Sequence, residues 1–101
     1  MDVRDWDQQV ELFKFAIEKL NRIDYVFANA GIRETPFLEY TSPKQVKFVK
    51  PDLKAIEVNL VGALYTSNLA AQIFRTQRVV DGFRGKIIFT ASVAYSLSHC
   101  L

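Results

Sequence analysis

The sequence predicts an α/β fold in the order helix, strand, helix, strand, with the two strands parallel. Three observations carry this. "IDYVFANAG" and "GKIIFTAS" are short apolar runs, each ended by small or polar residues. A long stretch between them has apolar residues at helical spacing, and so does the stretch before the first run. Two strands joined through a helix form a βαβ unit, for which the parallel, right-handed arrangement is the rule.

The first helix is expected from Trp6 to Leu20. Trp6, Val10, Phe13, Ile17 and Leu20 recur on one apolar stripe. Asp5, with Gln8 three residues on, resembles a capping box, and Asn21 is a natural stop. Ile23 to Ala28 is rich in β-branched and aromatic residues, as expected for a strand covered on both faces of a parallel sheet.

Arg33 to Pro51 reads as a connection containing Pro36, Pro43 and Pro51. Lys44, Lys47 and Lys50 recur there at three-residue spacing. They could form a basic contact for an anionic partner, but the solvated face of a short helical turn is the plainer reading. Asp52 should cap a long helix reaching about Arg75, with Leu53, Ile56, Leu60, Ala63, Ser67, Ala70 and Phe74 as its buried stripe. Asp81-Gly82 and Gly85 punctuate the turn after this helix, and Lys86 to Ala91 is the second strand.

Composition bounds the function. The chain has 101 residues, half of them hydrophobic and 24% charged, which suits one soluble globular domain at most. A net charge of +2 is too small to argue for nucleic acid or an anionic membrane. Cys100 is the single cysteine, so no disulfide framework or zinc site is expected. The opening "MDVRDWDQQV" has no apolar signal region, and the sequence has no run of the ~20 apolar residues a membrane span needs. These features together imply a cytoplasmic protein.

Ligands of open α/β sheets bind beyond the carboxyl ends of the strands. That rule places Asn29, Ala30, Gly31 and Ser92 on one rim. Gly31 would serve either a turn with positive φ or close approach of a ligand to bare backbone. Asn59, in "IEVNLVG", could hydrogen-bond toward the sheet edge or stand as an ordinary half-exposed helix residue. Ser92 lacks the G-x-S-x-G setting of a hydrolase nucleophile, and the lone histidine, His99, comes only seven positions later. A hydroxyl that holds a substrate carbonyl by hydrogen bonding fits Ser92 better.

At this point "DYVFANAG", "VNLVGAL" on a helix and "GKIIFTASVA" on a strand resemble the middle of a short-chain dehydrogenase/reductase. "DVRDWDQQVELFKFAIEKL" is similar to the family segment after the third strand, so the resemblance spans nearly the whole chain. It implies a partial Rossmann-like three-layer sandwich and hydride transfer between NAD or NADP and a small-molecule alcohol or carbonyl. By the same resemblance, Asp2 and Val3 match an adenine-contacting pair. Asn29, Ala30 and Gly31 match the Asn-Ala-Gly motif beside the cofactor ribose. Thr90, in "FTA", lies where the family passes the nicotinamide. Asn59 matches the asparagine that helps hold a water in the proton relay, and Ser92 the serine that orients the substrate oxygen. Ala28 and Tyr95 depart from the family pattern, which more often has asparagine and glycine there.

The family's acid-base tyrosine and its lysine belong on the helix after Ser92. The lysine favours the ionised phenolate. Tyr95 and His99 are four apart but do not replace that pair. Tyr95 is too close to Ser92 in the chain, and His99 is not a permanent charge at neutral pH. The glycine-rich turn that cradles the pyrophosphate has no counterpart among Gly31, Gly62, Gly82 and Gly85. Residues 1–101 are therefore expected to form one partial NAD(P)-binding domain, inactive by itself. The alternative is a non-catalytic remnant that pairs with an intact relative, as a homo- or hetero-oligomer through the long helix, or one without function.

Overall fold

A computed structural model describes residues 1–33, 48 and 50–90. Helix α1 (Trp6–Leu20) leads into strand β1 (Tyr25–Ala28). Helix α2 (Lys54–Ile56), a π-helical turn (Glu57–Val61) and helix α3 (Gly62–Phe74) then run on as one rod, and strand β2 (Lys86–Phe89) comes last. β1 and β2 pair in parallel, with Val26 opposite Ile87 and Ala28 opposite Phe89. The predicted α/β order and parallel pairing are both present.

The helix ends obey local chemistry. The Asp5 carboxylate accepts the Gln8 amide, satisfying one of the donors left over at a helix start. Asn21 closes α1 in the left-handed region at φ 61° and donates its amide to the Ile17 carbonyl. Asp52 accepts the Lys54 amide at 2.9 Å, while Leu53 occupies the cap position itself. The rod ends at Phe74 with Arg75 as its cap, as the sequence predicts. Asp81 and Gly82 take positive φ in the turn before β2.

Phe13, Ile23, Leu69, Ala70 and Phe74 form the buried core, with Val26 and Ile87 of the sheet packed against it. Burying a side chain of that size stabilises by ~1.5–3 kcal/mol. Three expectations need correction. In α1, Trp6, Ile17 and Leu20 are exposed, because the buried face is turned toward Gln9 and Phe13. In the rod, Leu53, Ile56 and Leu60 are exposed, while Ala55, Val58 and Gly62 face inward. That stretch is apolar on two faces, and close packing selects the face with the smaller residues. The third correction concerns β1. Its exposure alternates, with Tyr25 and Phe27 open and Val26 and Ala28 half-buried, so the helices cover one face only among the described residues.

β1 is also shorter than its apolar run. Ile23 precedes it, buried in the core, although pairing begins as the Lys86 amide donates to the Asp24 carbonyl. No second strand pairs with the other edge of β1 among the described residues. A groove of about 390 Å³ runs beside that edge, and none of its lining residues carries a charged side chain. Of the predicted features, Ala91, Ser92, Tyr95, His99, Cys100, Lys44, Lys47, Pro36 and Pro43 lie outside the described residues.

Candidate functional site

The carboxyl ends of β1 and β2 meet as the sheet topology requires. The Thr90 hydroxyl donates to Asn29 Oδ1 at 2.6 Å, and the Thr90 amide donates to the Ala28 carbonyl at 3.3 Å. These bonds tie the two strand ends into one rim. Asn29, Ala30, Gly31 and Thr90 are all exposed there.

Asn59 reaches this rim from the π turn. Its Oδ1 accepts the Ile32 amide and its Nδ2 donates to the Ile32 carbonyl, both at 2.8 Å. The side-chain amide therefore satisfies both backbone groups of one residue, in the manner of a neighbouring strand. The π turn contains Asn59, and its last bond runs from the Gly62 amide to the Glu57 carbonyl. Single π turns inside α-helices recur at functional sites. Gly31 does not lie in the left-handed region. A Cβ added to it would meet Asn59 Oδ1 at 3.4 Å, which is ordinary contact. The turn requirement considered for Gly31 is thus absent, and its bare backbone is open at the rim.

Asp2 and Val3 enter from the other side. Val3 lines the groove beside β1 together with Asn29 and Ala30. The Val3 side chain packs directly on Gly62, where a Cβ would sit 2.7 Å from Val3 Cγ2. Asp2 accepts from the Arg4 guanidinium at 2.7–3.2 Å and from the Arg4 amide at 3.0 Å. These hydrogen bonds hold its carboxyl down from the ordinary 3.8 to about 2. The same pairing keeps Arg4 charged more firmly, and Arg4 also reaches Glu57 at 3.4 Å.

The lowered value fixes the direction of a pH effect. The pairing stabilises the fold fully above 3.8, and this contribution is lost as pH falls through about 2. A carbon-detected titration of the Asp2 carboxyl should show its inflection near 2, returning toward 3.8 in Arg4→Met.

The structure thus brings Asn29, Gly31, Asn59 and Thr90 to one rim, with Val3 sharing a groove with that rim; Ser92 lies outside the described residues. Sequence reasoning missed Gln9, a fully buried amide in contact with the Val3 carbonyl. Its only signal was position, since Gln9, Phe13 and Ala16 share one face of α1 at helical spacing.

A parallel βαβ unit with an open rim at its strand ends, an amide-held loop and an uncharged side groove defines a partial Rossmann-like α/β domain. The short chain dehydrogenase family model matches residues 1–98, and the chain belongs to that family. It is similar to the short-chain dehydrogenase/reductase ascJ of Acremonium egyptiacum, 35% identical over 93% of this chain and 32% of the relative. It also resembles the (-)-trans-carveol dehydrogenase of Rhodococcus erythropolis, 33% identical over 92% of this chain and 30% of the relative. Tropinone reductase-like 2 of Erythroxylum coca is 34% identical over 96% of this chain and 33% of the relative. The chain spans about a third of the length of these curated relatives.

Proposed function

We propose that this chain supplies the central part of an NAD(P)-dependent oxidoreductase site acting on a small-molecule alcohol or carbonyl, and that the 101 residues alone do not complete it. One observation carries the reading. Asn59 fixes the backbone just beyond Asn29-Ala30-Gly31, on the rim where a ligand of such a sheet is expected.

The residues fit a dinucleotide. The groove lined by Val3, Asn29 and Ala30 is uncharged and largely apolar, which suits a flat base. When bound, the nicotinamide ring supplies or accepts a hydride. Val3 would wall the adenine side, with Asp2 beside it paired to Arg4. Asn29 and Gly31 would border the ribose, and Thr90 would lie on the nicotinamide side. Asn59 would hold the rim in shape, its side chain already committed to Ile32. Ser92 would orient the substrate oxygen. The proton donor would be a tyrosine with its lysine, which the 101 residues do not supply.

The exposed row Ile56, Leu60 and Leu64, spaced four apart on the rod, supports a second reading. In it the chain pairs with an intact family member through this helix and does no chemistry. A cytoplasmic setting belongs to either proposal; among the described residues no helix is long and apolar enough to cross a membrane.

The test is an assay with NAD or NADP and a panel of secondary alcohols, run on the 101-residue chain and on the longest product its gene encodes. The chain alone should show no turnover, and reproducible turnover would overturn the partial-site reading. The longer product should bind dihydronicotinamide with a change in fluorescence. Failure of both binding and turnover there would end the oxidoreductase reading and favour the pairing one.

A further inference from the structure

We infer that Gln9 is a positioning residue for the cofactor segment, holding the Asp2–Val3 wall of the groove against the start of α3. The inference rests on reading Asp2 and Val3 as the adenine-side wall.

Gln9 is 1% exposed, the only fully buried large side chain among the described residues, and it is polar. Its Nε2 donates one hydrogen to the Val3 carbonyl at 2.6 Å and the other to the Gly62 carbonyl at 3.0 Å. The Thr66 hydroxyl lies 2.7 Å from Gln9 Oε1, so the amide has one orientation that satisfies it. Three segments meet at this one group: the chain before α1, α1 itself, and the rod just past the π turn. Asn59 precedes Gly62 by three residues, so the same stretch of rod holds the rim through Asn59 and the groove wall through Gln9.

No other side chain does this geometrically. Asparagine is one methylene too short to span from α1 to both carbonyls. Glutamate would set a carboxylate against two carbonyl oxygens. Methionine fills the volume and leaves the Val3 carbonyl without its side-chain donor, while the Gly62 carbonyl keeps the Thr66 hydroxyl at 2.9 Å. A buried hydrogen bond of this kind has its full effect because water does not replace it.

The experiment compares Gln9→Met and Thr66→Val with Leu69→Val, a core change away from the groove, in the 101-residue chain. Amide hydrogen exchange at Arg4 and Asp5 reports the wall, since both amides bond to Asp2. Titration with AMP, run on the longest product the gene encodes, reports the adenine side. Gln9→Met should speed exchange at Arg4 and Asp5 relative to the β1 amides and weaken AMP about tenfold. Thr66→Val should do the same to a smaller degree, and it carries the comparison if Gln9→Met does not fold. Leu69→Val should lower the unfolding midpoint and leave both readouts in place. The inference is overturned if both groove variants leave Arg4 and Asp5 protected, or if Leu69→Val weakens AMP equally at a matched midpoint. If the longer wild-type product has no affinity for AMP, the cofactor reading falls instead, and the exchange data then decide whether Gln9 holds the wall.

Discussion

At the base of β1, Gln77 bonds both the amide and the carbonyl of Ile23, at 2.9 and 2.8 Å. At the rim, Asn59 bonds both groups of Ile32 at 2.8 Å. The two clamps share their chemistry and come from one helical stretch and its C-terminal end. Their surroundings differ. Ile23 is 6% exposed and belongs to the core, whereas Ile32 is 39% exposed. Gln77 also bonds the Arg84 carbonyl, and Arg22 reaches the Arg78 and Arg84 carbonyls beside it. The base is cross-linked and sits against the core, with the Gln77 bonds to Ile23 part-buried. At the rim the Ile32 clamp is a single amide in an exposed setting. The same bond pattern therefore serves stability beside the core and shape at the exposed rim.

The largest expected effect lies at the base. A Cβ on Gly85 would drive into the ring of Phe74, a core residue. Gly85→Ala should cost on the order of 3 kcal/mol in a urea unfolding experiment. Gln77→Leu comes next, at about 2 kcal/mol, because the Ile23 amide and carbonyl lose their partner next to the core. Asn59→Leu should cost only about 1 kcal/mol, since water can take up the Ile32 groups. It should nevertheless speed hydrogen exchange at Ile32 far more than at the β1 amides. If its stability cost equals that of Gln77→Leu, the distinction between the two ends falls. Gly31→Ala should be the mildest, within about 0.5 kcal/mol, because a Cβ there makes ordinary contact and φ is not left-handed. A large loss of stability from Gly31→Ala would mean the rim is as tightly built as the base.

What could be read from the sequence divides by range. The capping pair Asp5 and Gln8, the stop at Asn21 and the turn at Asp81-Gly82 act over a few residues and were legible. The parallel pairing came from the alternation of strand and helix. The inward face of the rod did not, because Leu53, Ile56 and Leu60 and the set Ala55, Val58 and Gly62 are both apolar rows at helical spacing. Family resemblance pointed to Asn59 but not to its partner Ile32, which lies 27 residues away. Gln77 and Gln9 likewise bond backbone groups 54 and 53 residues distant, and glutamine has no local pattern that announces such a partner.

The π turn has a consequence for how this chain tolerates length changes. It places one residue more than an α-helical turn would between the helix just past the Asp52 turn and the helix that ends at Phe74. Removing any one residue from Glu57–Val61 would let the rod become a continuous α-helix with better internal bonding. The residues on either side would keep their phase, because the extra residue is what the wide turn absorbs. Within the turn the residues would shift, and Asn59 with them, so a deletion that improves the helix would release Ile32 and loosen the rim while the core packing stayed in place.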